Sequence, residues 1–109
     1  VDIKNREFLT FYASDCRKRH NHRRLKDKVI EFVVQLEILI SGKWYPVIRY
    51  DTAHNSAHCD IMRRDGKTEK IAMPTLEYNK ALTFADEDLN QNWRVYREHF
   101  LKEVPNDNR

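Results

Sequence analysis

Twelve consecutive residues bring together several different kinds of side chain that can move protons or carry charge. Arg49-Tyr50-Asp51-Thr52-Ala53-His54-Asn55-Ser56-Ala57-His58-Cys59-Asp60 holds a guanidinium, a phenol, two carboxylates, two imidazoles and a thiol. Imidazoles exchange protons near neutral pH. A guanidinium steadies charge developing on a phosphate, and a neighbouring carboxylate orients a histidine or raises its proton affinity. The candidate catalytic set is therefore His54 and His58 as acid and base, Arg49 as the charge stabiliser, and Asp51 or Asp60 as the orienting group. With a ribose 2′-hydroxyl as the attacking group, this set would cleave RNA without a metal.

The same residues have plainer readings. Arg49, Asp51 and Asp60 fit a cross-strand charge network. Asp51 and Thr52 suit a turn. Tyr50 fits a core position with its hydroxyl at the rim, and both histidines serve equally as structural hydrogen-bonders. A metal site would need His54-x3-His58 joined by Cys59, Asp60 or the distant Cys16, His20 and His22. The paired spacings typical of zinc ligands are absent, so no metal and no cofactor is assigned. Cys16 and Cys59 read as small buried thiols.

A second chemical feature lies nearer the N-terminus. Residues 1–28 carry nine Lys/Arg against four acids, a balance of +5, while the remainder holds 11 basic and 13 acidic groups. Arg17, Lys18, Arg19, His20, His22, Arg23, Arg24 and Lys26 form a run suited to phosphates, with the histidines available to stack on bases. A solvated linker and a contact with an acidic partner protein are the competing readings.

Elements must position these groups. Phe8, Phe11 and Tyr12 recur at three- and four-residue spacing, which predicts a short helix over about residues 5–18. Ile30, Phe32, Val34, Leu36, Ile38 and Ile40 alternate with Glu31, Val33, Gln35, Glu37 and Leu39, the strongest strand signal in the chain. Ser41-Gly42-Lys43 turns into a returning strand over 44–51, where Pro46 calls for an edge or a bulge. Residues 57–63 and 67–72 read as two more strands joined by an Asp65-Gly66 hairpin turn. Leu89, Trp93, Tyr96, Phe100 and Val104 form one stripe of a helix over about 84–103, capped by Thr83. The expected fold is α+β: a four-stranded antiparallel meander with a C-terminal helix packed on one face and a short N-terminal helix. Its expected organisation is a basic extension (1–28), one domain (29–104) and a disordered tail (105–109).

The segment Arg49-Tyr50-Asp51-Thr52-Ala53-His54, followed by Ala57-His58-x-Asp60, the Asp65-Gly66 turn and the Trp93-bearing helix, resembles a family of small prokaryotic proteins. More loosely, it is similar to the TumE-type toxin–antitoxin group, whose members share a Tyr-Asp and a downstream histidine on a small β-rich domain. The closer resemblance spans residues 30–103. It departs from the pattern at Asn55, where a glycine is expected, and at His58-Cys59-Asp60, where the toxin-like ending is richer in histidine. The resemblance implies a toxin–antitoxin or defence-related setting.

Composition bounds what remains. A chain of 109 residues with 40% hydrophobic and 34% charged residues builds one small domain. No apolar run approaches the ~20 residues of a membrane span, and no stretch has the zones of a secretory signal. Two cysteines are too few for a disulfide scaffold. The expectation is a cytoplasmic protein that acts on or binds nucleic acid, RNA favoured, either as a metal-independent ribonuclease or as a non-catalytic binding or antitoxin-type module. An acidic protein and a second copy of the chain are the other expected partners.

Overall fold

A computed structural model describes residues 2–103. The chain runs β1 (Ile3–Ala13), β2 (Cys16–Leu25), β3 (Lys28–Ile40), β4 (Lys43–Asp51), a 3-10 turn (Ala53–Asn55), β5 (His58–Met62), β6 (Thr68–Ala72) and α1 (Tyr78–Lys102). The strands form a single antiparallel sheet in the order β1-β2-β3-β4-β5-β6, with α1 on one face. The α+β class therefore stands, but the sheet has six strands rather than four. Val104 and the tail expected over 105–109 lie outside the described residues.

The two additional strands replace the expected N-terminal helix and basic extension. Residues 5–18 span β1 and the start of β2 instead of a helix. The spacing of Phe8, Phe11 and Tyr12 fits a helical face, yet the same residues also sort by alternation, Phe8 and Tyr12 to one side and Phe11 to the other. At a sheet edge both sides stay partly wet, so the apolar pattern is too diluted to announce a strand. The basic run forms β2, an interior strand, because its neighbours supply partners for its charges. Glu37 on β3 meets Arg17 and Arg19, and Asp86 on α1 meets Lys18.

β3 carries the core. Phe32, Val34, Leu36 and Ile38 are buried against Ala81, Ala85, Leu89 and Phe100 of α1. The small Ala81 and Ala85 side chains let the helix lie close to the sheet. Opposite Arg23 and Arg24, Ile30 is an unpaired bulge residue, which turns Val29 inward and leaves Ile30 exposed. A second bulge at Val47 separates the pairs Leu36–Ile48 and Glu37–Pro46. β5 pairs with Ile48–Asp51, so Pro46 lies beyond the β5 ladder, beside the bulge.

The helix begins earlier than its sequence stripe suggests. Thr83 lies within α1 and its hydroxyl donates to the Asn79 carbonyl instead of capping. Asn79 ties the helix start to the β2–β3 turn: its amide oxygen accepts from Val29 N at 2.8 Å and its Nδ2 donates to the Asp27 carbonyl at 2.9 Å. No described helix is long and apolar enough to cross a membrane.

Candidate functional site

Alternation divides the basic strand between the two faces of the sheet. Cys16, Lys18, His20 and His22 share the helix-side face with Val34 and Leu36, while Arg17, Arg19, Asn21 and Arg23 share the opposite face with Gln35 and Glu37. Lys18, His20 and His22 are buried, and are thereby removed from the surface expected to meet nucleic acid. Lys18 Nζ bonds to Asp86 and to Asn90 Oδ1. His20 stacks on Phe8 and its Nε2 lies 2.6 Å from His22 Nδ1. Arg24 and Lys26 are exposed at the far end of the hairpin, where Lys26 takes a left-handed turn conformation.

The outer face, which no helix covers among the described residues, holds a continuous polar network. Glu37 is its centre and is only 5% exposed. Its carboxylate accepts from Arg17 Nε at 2.6 Å, Arg19 Nε at 3.0 Å and Gln35 Nε2 at 2.6 Å. Burial alone would push the Glu37 carboxyl up, but the bonds from Arg19, Arg17 and Gln35 outweigh it and hold the group below the usual carboxylate range. Arg49 Nε then donates to Gln35 Oε1 at 2.7 Å, linking β4 into the same network.

Four of the five residues singled out as catalytic meet on this face. Cross-strand pairing sets Arg49 beside Asp60 and Asp51 beside His58. His58 Nε2 lies 2.6 Å from Asp51 Oδ1 and 3.9 Å from Asp60 Oδ2, and Asp60 also faces Lys70 Nζ at 3.4 Å. The other ring nitrogen, His58 Nδ1, lies 3.0 Å from the Ser56 carbonyl. Both ring nitrogens therefore face acceptors, and neither is free to take a proton from a substrate in this arrangement. His54 stands apart, exposed in the 3-10 turn, without a side-chain hydrogen bond or ion pair among the described residues. Its φ of 61° and the 59° of Asn55 are left-handed. Asn tolerates that region well, which explains how the turn forms without a glycine.

Beside Asp51, a hollow of about 240 Å³ opens between Asn21, Glu31, Val33 and Thr52. Thr52 pins its floor, accepting from Phe32 N at 3.0 Å. At the other end of the face, the Arg17 guanidinium lies 3.9 Å from the Trp44 ring centre, and Phe11 meets the same indole edge-on at 6.0 Å. Glu37, Gln35, Trp44 and Phe11 were not singled out by sequence reasoning. For Glu37 and Gln35 the available signal was their polar parity on β3, which reads as solvent-facing until Arg17 and Arg19 are known to lie opposite.

Tyr50, Cys16 and Cys59 belong to the helix side. Tyr50 and Tyr96 both donate to Asp88 Oδ2, and Asn92 donates to Asp88 Oδ1. Burial pushes the Cys16 and Cys59 thiols up to about 11 and about 12, which keeps both protonated and poorly nucleophilic. No cluster of three or more His, Cys, Asp or Glu side chains among the described residues is placed to hold a metal ion.

Fold and site together define a small α+β domain: one helix packed on a six-stranded meander whose free face carries an arginine–carboxylate network. Residues 3–106 match the family model "Domain of unknown function (DUF7718)", and the chain belongs to that family. No curated protein matches the chain, and no solved structure does.

Proposed function

We propose that this protein binds single-stranded RNA across the outer face of its sheet, without cleaving it. The observation that carries the reading is the Phe11–Trp44–Arg17 cluster, an aromatic and guanidinium platform on a sheet face that no helix covers among the described residues. Bases stack on such platforms regardless of sequence, and a neighbouring guanidinium meets the phosphate. Arg19 and Arg23 continue the face along β2 and are about half exposed, so their free N–H groups can reach a backbone. Glu37 and Glu31 hold these arginines extended, which lowers the cost of ordering them on binding. The Arg-Tyr-Asp-Thr-Ala-His motif adds a toxin–antitoxin or defence-related setting, in which RNA is a fitting ligand.

The two-histidine mechanism finds less support. Acid–base cleavage needs two groups converging on one phosphate with a ring nitrogen free, whereas His58 has both nitrogens engaged and His54 makes no contact with it.

Fluorescence anisotropy with a labelled single-stranded RNA tests the reading. Affinity should fall as salt rises, and Trp44→Ala should weaken binding by about tenfold, within the range for losing one stacked base. Arg19→Ala with Arg23→Ala should flatten the slope of log K against log salt by about 1.4, two phosphate contacts at about 0.7 each. Absence of binding at low salt overturns the proposal. Cleavage of the same RNA that is abolished by His58→Ala would replace it with a ribonuclease.

A further inference from the structure

The two edges of the sheet differ sharply. β6 is five residues long, with Glu69 and Lys70 in its middle, a short charged edge of the kind that discourages pairing. β1 is 11 residues long, contains no proline or glycine, and pairs with β2 without a bulge from Ile3 to Phe11. Along it Ile3, Phe8, Leu9 and Phe11 are 43%, 39%, 43% and 55% exposed. Its outer backbone groups have no partner strand among the described residues, and such a row is a template for another strand.

We propose that β1 pairs antiparallel with β1 of a second copy of this chain, joining two sheets into one. The sequence of the strand is complementary to its own reverse in one register of full length. Overlapping all of Ile3–Ala13 with its two-fold mate centres the pair on Phe8, which meets the partner's Phe8. Glu7 then faces the partner's Leu9, Arg6 the partner's Thr10, and Lys4 the partner's Tyr12. No like charges are opposed. Moving the two-fold centre by one residue toward the N-terminus, a slide of two residues, sets Glu7 against the partner's Glu7, and moving it by two sets Arg6 against the partner's Arg6. Charge thus penalises both of those registers and leaves the longest one free. A two-fold axis normal to the sheet keeps both helices on the same side and doubles the length of the free face.

Sedimentation equilibrium on the full chain tests this. The expected mass is twice 13.2 kDa. Leu9→Glu, at a half-exposed position, sets a carboxylate against the partner's Glu7 and should halve the mass while leaving the circular dichroism spectrum unchanged. Adding Glu7→Lys to that variant should restore the dimer, since opposite charges then face each other. A monomer throughout the concentration range, or a dimer indifferent to Leu9→Glu, overturns the proposal. A dimer broken by Leu9→Glu but not restored by Glu7→Lys overturns the register.

Discussion

Replacing Glu37 with alanine should lower the stability of the fold by about 3 kcal/mol, the low end for severing a buried ion pair. One carboxylate bonds both Arg17 and Arg19 and accepts from Gln35. Removing it leaves Arg17, whose side chain is 13% exposed, without a counter-charge. Arg19 is half exposed and can turn into water, which limits the loss. Glu37→Gln, which keeps the shape and one acceptor, should fall between wild type and alanine. Urea unfolding midpoints of the three proteins measure the effect, and equal midpoints for alanine and wild type would show that the network contributes nothing net. The effect has a pH signature as well. Because the folded carboxyl sits below its ordinary value of 4.5, its contribution is fully present above that pH and is lost as acid protonates the folded form.

The second large effect lies on the helix side. Burial, then the neighbouring His22, pushes His20 down to about 4, with Lys18 and Arg6 adding to the fall and Asp86 opposing it. Burial, with Arg24 and Arg6, lowers His22 in the same direction. The contact between the rings is best made by a neutral pair, His20 Nε2–H donating to His22 Nδ1. That leaves His20 Nδ1 buried with no partner among the described residues, so a proton added there would meet no acceptor among them. Between 6.5 and about 4 the unfolded chain takes up a proton that the folded chain refuses. Stability therefore falls with pH through that window, by roughly 3 kcal/mol for His20, and levels off below it. Thermal unfolding of wild type and of a His20→Gln/His22→Gln variant from pH 7 to 4 separates this from the carboxylates. The variant starts less stable, having lost the Phe8 stack, but its curve should be much flatter. Parallel curves would rule out the histidine pair as the source.

The parts of the fold legible in the sequence are those where one face is purely apolar. β3 announces itself through Phe32, Val34, Leu36 and Ile38 on one parity, and α1 through Leu89, Trp93, Tyr96 and Phe100. The turn at Asp65-Gly66 follows from the left-handed φ that Gly66 adopts. β1 is hidden by its wet edge, and β2 by polar residues on a buried face. The helix-side face of β2 is built from Lys18, His20 and His22, groups that are tolerable inside because Asp86, Asn90 and Phe8 are opposite. Such partners lie up to 72 residues away and leave no local periodicity. The site followed the same logic. Arg49, Asp51, His58 and Asp60 could be brought together from strand alternation alone, whereas Glu37 and Trp44 acquire meaning only once β2 is known to be a strand.

The order of strands has a consequence for how the protein forms. Each strand lies beside its immediate predecessor, so the sheet can grow by successive hairpins, each closing a short loop at small entropic cost. Among the described residues, it is the return of α1 across the sheet that brings the most distant stretches of chain together. Until that return, the apolar side of the longest strands stays open to water, so the docking of one helix should complete the core.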